Sequence, residues 1–483
     1  MELKAQIAKG AYWTVVGQIG YMAISLITDI ILAHLLTPFE FGEMAILMFF
    51  VLIANILLDS GFGSALIRKI DATNVDFSTV FVSNMVISSF CYLLLILFSG
   101  KIASYYKDPH LKELLIVIGS ILIFNALCVT QNARLVKDME FKKKALYQFF
   151  ANFLASVTSL ILAYFHWGIW ALVAFQLLTA LYYTIIIISC ERVFFSLTFS
   201  KASFKELVGF GVNTTLTNVL ATGFDNIFQL ILGSYFSITI TGFYYEAKRL
   251  QTVPFMVLNT VVQGVMFSSL ARLQKDLSQF SAAYKRFVIL LAVLMSIITC
   301  CLYIYADLII YTLYGKKWDG AVIFIQLLSI ASFFYFQELV NNTIFKVFNK
   351  TRKILYLEIV KKIIQIVSVV IGILYLSINV LFIGFIISSI IGYILNYYFS
   401  RKLIVGTGNS EFLVIIKILF VSVICVVLIT YLIHLFSLSM YKSLIVLPVF
   451  ILLYYVGMRL LRVADLIKEL YSFIQLLSVR KSK

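Results

Sequence analysis

The chain reads twice. Thr14, Ile31, Leu32 and Gly42 recur at one fixed offset as Thr214, Ile231, Leu232 and Gly242. Further along, Lys143-Lys144-Ala145-Leu146-Tyr147 recurs as Arg352-Lys353-Ile354-Leu355-Tyr356. Each copy is a series of apolar stretches of roughly 20 residues, the length that crosses a hydrocarbon core of about 30 Å. A membrane protein built of two homologous bundles has a seam between them, and transporters place their substrates at such seams.

Composition supports the membrane reading. The sequence is 62% hydrophobic and 13% charged, and soluble domains carry about twice that charge. Only four prolines interrupt it, and no alternating pattern suggests a barrel, so the spans are helical. The fold class expected is an all-α polytopic membrane protein of about fourteen spans. They fall near 11–36, 43–65, 78–99, 112–133, 145–165, 168–189, 208–234, 243–271, 286–311, 321–345, 354–375, 378–400, 412–434 and 441–461. The first is too long for a signal h-region and lacks a cleavage site, so it is expected to insert. The six cysteines lie in or beside apolar segments without CxxC spacing. They read as packing residues rather than disulfides or metal ligands.

Basic residues set the orientation. With the N-terminus cytoplasmic, all 39 Lys and Arg face that side except Lys101, Lys107, Lys112, Lys248, Arg249, Lys316, Lys317 and Lys442. Both termini are therefore expected on the cytoplasmic side. The net charge of +16 follows from this asymmetry and from anionic lipid rather than from nucleic acid. An even number of spans per copy gives both copies the same orientation, so their pseudo-twofold axis should run along the membrane normal. The expected organisation is a lobe over 1–207, a second over 208–402, extra spans over 403–461, and an amphipathic tail over 462–483. The lobes should flank a central cavity. The short loops argue against an enzyme such as a glycan polymerase or ligase. The absence of a P-loop pattern argues against direct ATP drive.

Several short motifs now carry a resemblance. Ala33-His34-Leu35-Leu36-Thr37-Pro38-Phe39-Glu40-Phe41-Gly42 resembles the A-x-L-L-T-P-x-x-F-G turn of bacterial polysaccharide transporters. Gly61-Phe62-Gly63-Ser64-Ala65-Leu66-Ile67, Arg134 to Phe141, Trp167 to Val173 and Leu313 to Trp318 fit the same pattern, over roughly residues 1–400. The chain is identified as similar to Wzx-type flippases of the multidrug/oligosaccharidyl-lipid/polysaccharide exporter superfamily. That resemblance implies alternating access of two six-helix lobes. It also implies transfer of undecaprenyl-diphosphate-linked oligosaccharide across the inner membrane, with polymerase and chain-length proteins as possible partners. A cation-coupled multidrug exporter is the nearest alternative.

Polar groups at membrane depth are the candidate site residues. Asp29 and Asp225 are candidates for H+ or Na+ coupling, expected to face each other across the cavity; no other cofactor is implied. A diphosphate needs cations, and Lys248, Arg249, Lys361 and Lys362 are the best placed, with snorkelling the plain alternative for the lysines and an ion pair with Glu246 at the outer mouth the alternative for Arg249. Sugars need amides, and span ten offers Gln337, Glu338, Asn341 and Asn342. Further amides are Asn213, Asn218 and Asn226 on span seven, and Asn125, Gln131 and Asn132 on span four. Asn213 and Asn341 serve equally well as interhelical hydrogen bonds. The four histidines are scattered and suggest no metal site.

Overall fold

A computed structural model describes residues 2–59, 62–69, 71–191, 198–404, 410–436 and 442–463. The expected amphipathic tail lies almost wholly outside them. Among the described residues every regular element is helical. The first unit contains α1 (Glu2–Leu35), α2 (Pro38–Asp59), α3 (Phe62–Arg68), α4 (Asn74–Tyr105), α5 (His110–Gly119), α6 (Ile121–Lys137), α7 (Phe141–Tyr164), α8 (Ile169–Cys190) and α9 (Lys201–Tyr235). Helix α10 (Ile238–Val261) begins there and runs into the second unit. The second unit continues with α11 (Phe267–Leu273), α12 (Leu277–Ile304), α13 (Ala306–Leu313), α14 (Val322–Val347), α15 (Thr351–Leu374), α16 (Ile378–Arg401), α17 (Ser410–Leu435) and α18 (Leu447–Leu460).

Among the described residues, twelve helices or joined helix pairs are long and apolar enough to cross a membrane. Helix α15 has the length, but Glu358, Lys361 and Lys362 sit inside it. Helix α9 is the other expected span outside the twelve. The span from Ile238 to Leu273 contains Pro254 and a single π turn, Val262–Met266. Both loosen the regular helix ladder.

The compact units divide after Tyr245, later than the 207/208 boundary read from the repeat. The reason is packing: α9, the first helix of the second copy, lies against α2, α3 and α4 of the first unit. In the second unit α14 packs on α12 and α16, α15 packs on α16, and α17 and α18 extend the same core through α12.

The motif turn into α2 explains its own residues. Thr37 precedes the helix, Pro38 opens it, and Glu40 closes a capping box. The Thr37 N–H donates to Glu40 Oε2 at 2.6 Å, and the Glu40 N–H donates to Thr37 Oγ1 at 3.4 Å. Phe41 is fully buried. Gly42 allows a backbone approach that no side chain would permit, since a Cβ there would lie 1.9 Å from the Ile238 carbonyl oxygen. Its repeat mate behaves the same way: a Cβ on Gly242 would lie 1.9 Å from the Pro38 carbonyl oxygen. Pro38 and Ile238 are themselves repeat mates, so the contact is reciprocal, as a two-fold relation between the copies requires.

Gly42→Ala and Gly242→Ala should each lower stability by at least the 1–3 kcal/mol, roughly, of an overpacked core. Gly100→Ala and Gly264→Ala, with open space around them, should not. Thermal unfolding of the detergent-purified variants measures the contrast.

Candidate functional site

Helix α14 packs between α12 and α16, so its polar residues are drawn inward. Glu338 is 1% exposed and Lys361, on α15, is 6% exposed. The Lys361 ammonium donates to Glu338 Oε1 at 2.8 Å and to a Glu358 carboxylate oxygen at 3.0 Å. It also lies 5.0 Å from the centre of the Tyr335 ring, a cation–π distance. Glu358 stays one-third exposed, one turn before Lys361. The cluster therefore consists of one cation, two carboxylates and an aromatic face.

Room for it comes from Gly392 on α16. A Cβ there would lie 2.8 Å from Lys361 Cδ and 3.0 Å from Glu338 Oε2. Burying each ion costs several kcal/mol, which close pairing offsets. Glu338 Oε2 and both amide atoms of Gln337 have no hydrogen-bond partner among the described residues. An acidic, partly unsatisfied group thus sits beside a satisfied lysine.

Two candidates for different substrate parts are consequently partners of each other: Lys361, read for the diphosphate, is held by Glu338, read for a sugar. Asn341 is an interhelical tie. Its Oδ1 accepts from Tyr284 Oη at 2.8 Å and from Ser400 Oγ at 3.1 Å, while its Nδ2 donates to the Gln337 carbonyl. Asn342 is buried with its Oδ1 unpartnered among the described residues. Lys362 and Lys248 are half-buried. Arg249 lies 3.8 Å from the fully buried Glu246, the ion pair that their spacing suggests.

The two acids of the first unit occupy different settings. Asp29 is 1% exposed on α1, which packs chiefly against α7. Asp225 is exposed on α9, which packs against α2. The repeat mate of Lys361 is Asn152, buried on α7, where it donates to the Tyr21 carbonyl and Ser25 Oγ at 3.2 Å each. Equivalent positions thus carry an amide in one copy and an ammonium in the other. The side chain of Asn213 lies outside the described residues; Asn218 is exposed, and Asn226 donates to the Thr222 carbonyl of its own helix.

Sequence reasoning missed three features. Arg401, read as a topology charge, pairs with the buried Glu411 at the start of α17. Lys69 bridges Asp76 at 3.1 Å and Glu206 at 3.0 Å, tying α9 to the loop between α3 and α4. Glu206 first, then Asp76, holds its pKa above the ordinary lysine range through hydrogen bonds. The third is an apolar cleft of about 450 Å³ between α12, α14 and α17, lined by Ile330, Phe333, Phe334, Leu419, Val423 and Val426.

Residues 31–323 match the family described as polysaccharide biosynthesis protein. The chain belongs to that family. It is 24% identical over 333 residues to the teichuronic acid biosynthesis protein TuaB of Bacillus subtilis, covering 67% of this chain and 68% of that one. It is 20% identical over 420 residues to the lipopolysaccharide biosynthesis protein WzxC of Escherichia coli, covering 86% and 84% respectively. Among solved structures it shares the fold of the lipid II flippase MurJ in its inward closed conformation. The TM-score is 0.75 over 94% of this chain and 99% of that one, at 15% identity.

Lys361→Met should destabilise the protein by roughly 3–5 kcal/mol, because two carboxylates lose their cation. Adding Glu338→Gln should recover part of that loss, in a double-mutant cycle read by thermal unfolding.

Proposed function

We propose that this protein moves an undecaprenyl-diphosphate-linked oligosaccharide from the cytoplasmic to the outer leaflet of a bacterial inner membrane by alternating access. Both termini would be cytoplasmic, and the protein would be a carrier, not an enzyme. The observation that carries the reading is the ion cluster on α14 and α15, buried within a family whose description is polysaccharide biosynthesis. Buried ionisable groups in membrane helices are retained for substrate, ion or switching roles. The names of the relatives, teichuronic acid and lipopolysaccharide biosynthesis, support the substrate class.

The chemistry of the site suggests a division of labour. Lys362, Lys248 and Arg249 are the cations open enough to meet a diphosphate. Lys361 is fully engaged, so it would serve as a switch: an arriving phosphate competes with Glu338 and Glu358 for the ammonium. Such an exchange has two discrete arrangements, which a conformational change requires. The carboxylate released would then need a proton or sodium ion, which is the natural place for coupling, with Asp29 and Asp225 as the candidates in the first unit. The cleft lined by Phe333, Phe334 and Val426 has the apolar chemistry for a polyprenyl chain. The polymerase and chain-length proteins of the same glycan would be the downstream partners.

Deleting the gene in its own host should abolish surface polysaccharide and leave the lipid-linked oligosaccharide on the cytoplasmic side. In complementation, Lys362→Ala or Lys248→Ala should cut export about tenfold or more at normal protein level, the loss expected for a charge-assisted contact. Full export by Ala variants at Lys248, Arg249, Lys361 and Lys362 alike would sink this assignment.

A further inference from the structure

The polar residues of the first unit form a cavity that the ion cluster does not explain. It is a half-open recess of about 260 Å³ between α1, α2, α6, α7 and α8. Asn55, Asn125, Gln148, Gln176, Thr179 and Tyr183 contribute its polar lining, and among the described residues no ionised side chain lines it. Neutral amides gathered at membrane depth are unusual, since a polar group placed there without a partner is costly.

The internal bonds use only part of this polar capacity. Asn125 Nδ2 donates to Asn55 Oδ1 at 2.7 Å, and Asn55 Nδ2 donates to the Val51 carbonyl at 3.0 Å. Thr179 donates to the Phe175 carbonyl at 2.6 Å, and Tyr183 donates to Asn132. The Asn125 carbonyl, the second protons of both Asn amides and the lone pairs of the two hydroxyls are left over. Among the described residues no side-chain hydrogen bond engages Gln148 or Gln176. Gln148 is exposed and Gln176 half-buried, so the cavity is open to an entering group.

The geometry points to a binding pocket for one uncharged sugar residue. The argument has three parts. A ligand must both donate and accept many times, as a ring of hydroxyls does, to replace the water that amides hold. It must be neutral, because a diphosphate would enter with no cation to meet it. The part that seats inside must be small: the recess lies below the roughly 300–1,000 Å³ of drug-sized pockets, room for one sugar ring of a longer glycan. Tyr21 and Tyr183 add aromatic faces for the apolar side of the ring. This inference rests on the reading of the protein as a carrier of lipid-linked glycan. It moves sugar recognition from Gln337, Glu338, Asn341 and Asn342, which are buried in the second unit, with Asn341 tied to Tyr284 and Ser400 and Glu338 to Lys361, to the first unit.

The test uses the full-length protein in nanodiscs and a short-chain prenyl diphosphate. The lipid is supplied bare and with one hexose or N-acetylhexosamine. The wild type should bind at least one glycosylated lipid about tenfold more tightly than the bare one, the order of one or two net hydrogen bonds. Gln176→Leu and Asn125→Leu should erase that difference while leaving affinity for the bare lipid unchanged, which also reports correct folding. Thr179→Val serves where an amide variant misfolds. Equal wild-type affinity for bare and glycosylated lipids, or a preference that survives in all three variants, overturns the pocket alone. Binding of neither lipid by the wild type overturns the carrier reading and the pocket with it.

Discussion

The structure of the first unit depends on a backbone contact between the two copies of the repeat. Gly42 meets the Ile238 carbonyl and Gly242 meets the Pro38 carbonyl, at a distance that excludes any Cβ. Helix association in a membrane gains little from the hydrophobic effect and relies on close packing of small residues. This contact takes that rule to its limit, and its reciprocity sets the start of α2 against the start of α10. The capping box of Thr37 and Glu40 fixes where α2 begins, and therefore where Gly42 falls. A second motif glycine, Gly168, sits against the same Glu40: a Cβ there would lie 2.7 Å from its carboxylate, and the backbone φ is +55°. The family motifs are thus pieces of one packing solution.

The second unit is organised around charge. Lys361 joins α14 to α15 through Glu338, and the Arg401–Glu411 pair joins α16 to α17. A buried pair stabilises little compared with apolar packing of the same volume, so stability alone gives no reason to retain one at span depth. The same pair has value when it must be made and broken. Asn152 at the matching place in the first copy has hydrogen bonds but no charge to switch. Under this account the copies have diverged, one toward neutral recognition and the other toward ionic rearrangement.

Much of the architecture was legible in the residues because lipid solvent imposes a strong pattern. Length, apolarity and the repeat led to the helices, and the spacing of Glu246 and Arg249 suggested their pairing. The boundary after Tyr245 was hidden, because no periodicity says that α9 leaves its own copy to pack on α2. The partnership of Glu338 with Lys361 was hidden for a similar reason: sequence marks each as polar at depth but not the Gly392 gap that lets them meet. Gln148 and Gln176 drew no attention as isolated amides. Only the packing of α7 on α6 and α8, and of α8 on α2 and α6, brings them to one cavity with Asn55 and Asn125.

The most direct measurement of the central claim is leaflet transfer by the purified protein. Proteoliposomes would carry a prenyl-diphosphate oligosaccharide, with a membrane-impermeant glycosidase added outside. The account predicts that the sugar of both leaflets becomes cleavable when the protein is present, and only that of the outer leaflet when it is absent. Cleavage confined to the outer leaflet in both cases, with correctly folded and inserted protein, would contradict it.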